Sequence, residues 1–336
     1  MKIAITADPY IPVPPVNYGG IERIIDFLIK GLTNYGHEVV LVAHPNSTID
    51  TKLIPYQPLT GNFTDHLHNV ITINKLSSFK PDVIHSFSRL AYLLPFIRSS
   101  VPKLMSYQRE PTISQIKRVV KIAKGKSLSF TGCSNYISNQ IKPFASAYTV
   151  YNGVDLSIYQ SSTLFSNDNP LVFLGRIEPI KGTHLAIDAA IKSNRKLIIA
   201  GNIPNEYQSY FDEQILPKLN NQIVYIGQVN DEQKNDLLKN ASALLMPILW
   251  NEPFGIVMAE AMACGTPVIG FNRGSVPEVI NNNIGFICNN LDEMVEAIGK
   301  LQQIDRSLVR KHCELNFGSE VIVNNYINLY QQLIAK

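Results

Sequence analysis

Short β-branched runs alternate with longer stretches of helical period along almost the whole chain, and that alternation leaves few folds open. It is the pattern of parallel sheets wrapped by helices. Strands are expected at 2–7, 38–43, 82–86, 103–107, 129–133 and 147–151, with helices near 20–35, 65–78, 89–98, 113–124 and 135–142. A polar stretch from Ser157 to Pro170 interrupts the rhythm, so a domain boundary is placed near 152–168. Beyond it, strands are expected near 171–175, 196–200, 222–226, 243–247, 267–270 and 285–287, and helices near 182–193, 205–219, 231–240, 255–264 and 291–303. A helical tail follows from about 305 to 335. At 336 residues the chain is too long for one comfortable core, which agrees with two consecutive α/β units. In such sheets ligands bind beyond the carboxyl ends of the strands.

Composition excludes more than it selects. A net charge of +3 gives no reason to expect nucleic acid, and it suits small anionic ligands. The four cysteines, Cys133, Cys264, Cys288 and Cys313, lie far apart with no zinc spacing, and they read as buried thiols in a reducing compartment. Asp8, Pro9, Pro12, Pro14 and Pro15 break the first apolar run, so no signal-peptide core is expected. No apolar run reaches the roughly 18 residues of a membrane span. A cytoplasmic protein is therefore expected.

Three loops carry candidate chemistry. The first ends in Gly19-Gly20 just before a helix, where free amides and the positive helix end suit an anion. It is not G-x-G-x-x-G, which disfavours a dehydrogenase. The second is Gly175-Arg176-Ile177-Glu178-Pro179-Ile180-Lys181-Gly182, which follows a strand and precedes a helix. Its two cations, a planar fork and a point charge, can reach one diphosphate from two sides. The third runs from Met246 through Trp250-Asn251-Glu252-Pro253-Phe254-Gly255-Ile256-Val257 to Glu260. Glu252 falls beside a helix start, where a carboxylate and free amides together hold hydroxyls and phosphate oxygens. The plain alternative for Glu252 is a helix-dipole partner. Glu260 has Val257, Met258, Ala259, Ala261 and Met262 around it, and an acid in that company needs a hydrogen-bonding partner.

These residues carry a resemblance to glycosyltransferase family 4, retaining enzymes of the GT-B fold, over essentially the whole length. Its marks are Gly19-Gly20, Val150-Tyr151-Asn152-Gly153-Val154-Asp155, Gly175-Arg176 with Lys181-Gly182, Glu252 with Glu260, and Gly274-Ser275-Val276-Pro277-Glu278. The resemblance implies two Rossmann-like doubly wound domains facing a cleft. One is 1–153, joined by a C-terminal helix at about 318–336, and the other is 154–317. It implies a nucleoside-diphosphate sugar as co-substrate, with a UDP-sugar favoured, a hydroxyl acceptor, and neither cofactor nor metal. Arg176 and Lys181 would hold the diphosphate. Glu252 and the amides of Phe254, Gly255, Ile256 and Val257 would hold the sugar and phosphates, Glu260 the ribose, and Gly19 and Gly20 the donor phosphate. Gln108 stands where the family usually has a histidine; it can hydrogen-bond a sugar but cannot carry a proton. His85, Arg109 and Glu110 are acceptor-side candidates, whereas His66 and His68 lack the company of a metal site. A nucleotide-sugar epimerase and a non-catalytic sugar-nucleotide binder are the rival readings. The basic amphipathic stretch 113–126 is a candidate for peripheral membrane contact.

Overall fold

The computed structural model describes residues 1–16, 19–57, 61, 63–162, 166 and 168–336, with Phe63 described by its backbone alone. The chain divides into two compact units, one of residues 1–152 and 319–336 and the other of residues 153–318.

The first unit is built on seven parallel strands: β1 (Lys2–Thr6), β2 (Glu38–Ala43), β3 (Lys52–Pro55), β4 (Val83–Ser86), β5 (Lys103–Tyr107), β6 (Leu128–Gly132) and β7 (Ala147–Thr149). Their order is β3-β2-β1-β4-β5-β6-β7, so the chain reverses its direction of winding between β1 and β4. Ile3 stands opposite both Val39 and Val83 at that centre. Helices cover both faces, which is why β4, β5 and β6 are buried at every position and read as continuous runs rather than alternations. The helix Gly20–Asn34 packs Ile24, Ile25, Leu28 and Leu32 inward at helical spacing. Gly31 on that helix has no room for a side chain: an added Cβ would lie 2.5 Å from Val323 Cγ2 on the helix Ser319–Ile334.

That C-terminal helix also buries a polar network. His85 is fully buried, with Nδ1 2.6 Å from the Tyr330 hydroxyl and Nε2 2.6 Å from Ser106 Oγ. Ser106 in turn lies 2.5 Å from Thr131 Oγ1. Burial alone pushes the His85 imidazole down to about 3, so it is neutral. The expectation that His85 lines the acceptor side is thereby corrected: its ring faces the core under the C-terminal helix, where no ligand reaches it.

The second unit repeats the plan with β8 (Leu171–Leu174), β9 (Leu197–Ala200), β10 (Ile223–Tyr225), β11 (Ala243–Met246), β12 (Val268–Phe271) and β13 (Gly285–Cys288). All six are parallel in the order β10-β9-β8-β11-β12-β13, and the winding reverses between β8 and β11. Leu171, Phe173, Ile187, Ile199, Leu245 and Ile298 lie in one continuous apolar core. Arg306, only 3% exposed, donates to Ser162 O, Ala241 O, Lys239 O and Thr266 Oγ1. Burying a guanidinium is costly unless its donors are answered, and here they are.

Three expectations about elements change. β3 is an additional strand. The segment 205–219 is a series of short 3-10, α and π turns rather than one helix, with Pro217 withholding an amide in the last of them. The tail is two helices, Arg306–Phe317 and Ser319–Ile334, separated at Gly318, where the chain passes from one unit to the other. In the basic helix Ile113–Ile122, Ile116 and Val119 are buried in the unit while Ile122 is exposed. Among the described residues no helix is long and apolar enough to cross a membrane.

Candidate active site

Reversal of winding in a parallel sheet opens a crevice beyond the carboxyl ends of the two central strands. In the second unit those strands are β8 and β11. The loop after β8 carries Arg176 and Lys181, and the loop after β11 carries Trp250 and Glu252. The two loops touch: Gly182 has φ +75, and a Cβ there would lie 2.0 Å from Pro247 O. Only glycine permits that approach in that conformation.

The charged groups meet at Glu252. Its Oε2 accepts from Lys181 Nζ at 2.8 Å and from Trp250 Nε1 at 3.0 Å, and the residue is 8% exposed. Lys181 Nζ also sits 4.7 Å from the Trp250 ring centroid. The loop is propped from beneath. Ser275 N donates to Glu252 O at 2.9 Å, and Gly274, with φ +58, passes so close that a Cβ would lie 2.3 Å from the same carbonyl. The motif around Gly274 thus acts as the floor of the Glu252 loop.

Arg176 is held loosely. Its Nη2 lies 2.9 Å from Glu178 Oε1, close enough for an ion pair but misaligned for a hydrogen bond, and its side chain is 40% exposed. A guanidinium so placed is able to turn toward an incoming anion.

The helix Ile256–Ala263 begins at Gly255, which has φ +74 and gives the helix no side-chain cap. The amides of Ile256 and Val257 find no acceptor among the described residues, and they point out of the positive end of the helix. The Phe254 ring is buried edge-on against Phe317, with centroids 5.5 Å apart.

Glu260 has the partners an acid in apolar company requires. Tyr159 donates its hydroxyl to Oε1 at 2.8 Å, and Lys234 Nζ lies 2.5 Å from the same oxygen. Lys234 also pairs with Asp231 at 3.2 Å and stands over the Tyr159 ring. The second oxygen, Oε2, makes no hydrogen bond among the described residues. Tyr159, Lys234 and Trp250 were not singled out in the sequence. Tyr159 and Lys234 lie far from Glu260 along the chain, and nothing in local spacing announces them; Trp250, two residues before Glu252, was legible as a neighbour.

The first unit carries the remaining candidates. Gly19, with φ +155, precedes the first helix, which Gly20 opens. Gln108, Arg109 and Glu110 follow β5: Gln108 Oε1 accepts from Asn152 Nδ2 at 2.7 Å, Glu110 Oε1 accepts from the Tyr136 hydroxyl, and Arg109 is exposed.

This architecture is found in known proteins. The family model for glycosyl transferases group 1 matches residues 157–311. An uncharacterized glycosyltransferase of Methanocaldococcus jannaschii is 30% identical over 323 residues, covering 89% of each chain. Sucrose-phosphate synthase from Thermosynechococcus elongatus superimposes with a TM-score of 0.80 at 18% identity, over 99% of both chains. Anabaena HepE in complex with UDP-glucose superimposes with a TM-score of 0.76 at 16% identity, over 99% of this chain and 100% of HepE. The chain therefore belongs to the group 1 glycosyltransferases, as its likeness to glycosyltransferase family 4 implied. It is a glycosyltransferase of the GT-B fold, with two Rossmann-like parallel-sheet domains.

Proposed function

We propose that the protein moves a sugar from a UDP-sugar to a hydroxyl acceptor with retention of anomeric configuration and without a metal ion. The observation that carries this reading is the meeting of Lys181, Trp250 and Glu252 at the switch point of the second sheet, with Arg176 loosely held on the same loop as Lys181. As the anomeric bond breaks, negative charge grows on the departing diphosphate. Lys181 is a cation already in place for it, Arg176 turns toward it, and the amides of Ile256 and Val257 add the positive end of a helix. Together the two cations supply what a divalent ion supplies elsewhere.

Glu252 takes two roles. In the resting protein it keeps Lys181 in position; with donor bound, it accepts hydrogen bonds from the sugar. Glu260 Oε2 receives the ribose hydroxyls while Tyr159 and Lys234 hold its other oxygen. UDP is the preferred nucleotide because HepE, a structural relative, is seen with UDP-glucose.

The test is incubation with UDP-, GDP- and ADP-sugars followed by product analysis. Release of UDP with an α-linked product from an α-linked donor supports the proposal. An isomerised donor or tight binding without turnover overturns it, as does activity abolished by chelators and restored by a divalent ion.

A further inference from the structure

Each of the two cations on the loop after β8 has an acid of its own: Lys181 is paired with Glu252, and Arg176 with Glu178. The two pairs are built differently. Glu252 Oε2 accepts hydrogen bonds from both Lys181 and Trp250, so it keeps a partner when one donor moves. Glu178 has Arg176 as its one charged partner among the described residues. Its Oε1, 2.9 Å from Arg176 Nη2, receives no hydrogen bond, and its side chain is 3% exposed.

The backbone fixes Glu178 from both sides. Ile177, fully buried, donates its amide to Asn202 O at 2.9 Å, and Glu178 O accepts from Lys181 N at 3.0 Å. Pro179 comes next and favours extended backbone before it, as φ −144 and ψ 151 at Glu178 show. The carboxylate is therefore the fixed member of the pair, and the guanidinium nearer the surface is the one that moves. Arg176 turns to a diphosphate only by loosening the sole counter-charge of a buried acid. Leaving a buried carboxylate unpaired is costly, so that loosening opposes diphosphate binding and favours its release.

We propose that Glu178 is a built-in competitor of the diphosphate for Arg176. It holds Arg176 before the donor arrives and reclaims it after transfer, and so sets how long the diphosphate product stays. This role rests on the transfer reading above, in which a diphosphate is the leaving group at this loop. Glu178 is a positioning residue: it acts through Arg176 and not on the reacting atoms. A neutral side chain at this position would give a site that keeps its product longer.

Calorimetric titration of the full-length protein with inorganic pyrophosphate and with UDP, each in the presence of a chelator, tests the role. Glu178→Gln is expected to bind both about three- to tenfold more tightly, the effect of removing a partly buried ion pair that competes. UDP should leave the variant more slowly by a similar factor. Glu178→Asp, one methylene shorter, is expected to give a smaller gain of the same sign, and it carries the test if the amide variant does not fold. In an Arg176→Met background, Glu178→Gln should change either affinity by less than about twofold, because the two residues act as one unit. A change in the loop's charge or fold alone would act equally in both backgrounds. Unchanged or weaker binding in Glu178→Gln overturns the proposal, and so does an equal gain with and without Arg176. If pyrophosphate binds more tightly to Glu178→Gln while UDP does not bind at all, the nucleotide reading falls and this role stands. If UDP binds and Glu178→Gln leaves its affinity unchanged, this role falls and the nucleotide reading stands.

Discussion

Lys181 Nζ and Glu252 Oε2, 71 positions apart in sequence, lie 2.8 Å from each other across the switch point of the second sheet. Each is largely buried, at 20% and 11% side-chain exposure, so the pair is only partly screened by solvent. Lys181→Met is expected to lower kcat by about 10²–10³-fold, the usual effect of removing one group that stabilises transition-state charge. Glu252→Gln is expected to do similarly. Because each holds the other, the double variant should lose far less than the product of the two single losses. Steady-state kinetics of the four proteins measures this; strictly multiplicative losses would show that the two act independently.

Tyr159 and Lys234 share one oxygen of Glu260, so removing the phenol hydroxyl weakens the carboxylate's placement without uncovering it. Tyr159→Phe should raise KM for the donor about two- to tenfold, the span of one neutral hydrogen bond, with kcat nearly unchanged. A fall in kcat at constant KM would move Glu260 from ground-state binding into the chemical step.

Arg306 gives a purely structural prediction. Arg306→Met fills much of the same space but leaves Ala241 O and Thr266 Oγ1 without their donor. The expected loss is about 2–4 kcal/mol, set by leaving buried acceptors unsatisfied. It should appear as a lower denaturant midpoint of the second unit, and an unchanged midpoint would mean that water or neighbouring groups replace the guanidinium.

The buried His85 predicts acid sensitivity in the first unit. The imidazole is held at about 3 by burial, below its ordinary 6.5. Between those values the unfolded chain takes up a proton that the folded unit refuses. Stability from this source is therefore complete above pH 6.5 and is lost as pH falls toward 3, by at most ~1.4 kcal/mol per pH unit. Urea midpoints at pH 7.5 and 5.0 should separate more for the parent than for His85→Gln; equal separations would contradict the assignment.

The sheets were largely legible because strands buried on both faces are written as dense apolar runs, Val39 to Val42 and Leu171 to Phe173 among them. β3 escaped because Lys52-Leu53-Ile54-Pro55 is short, lies at an edge and ends in proline. Segment 205–219 has helical spacing, but Pro204 precedes it, Pro217 withholds an amide near its end, and the chain between them breaks into short 3-10, α and π turns. In the site, Arg176, Lys181 and Glu252 could be read locally because each lies in the loop beyond a strand's carboxyl end. His85 shows the limit of that rule. It also ends a strand, yet what decides its role is Tyr330, 245 positions later. Partners that distant leave no trace in spacing.

The helix Ser319–Ile334 belongs to the first unit although the entire second unit precedes it in the chain. During synthesis the strands of the first sheet are therefore all made long before this helix is, and until then Gly31 lacks Val323 and His85 lacks Tyr330. The half that emerges first is finished last, and a ribosome stalled anywhere within the second unit would present a first unit still open along that face.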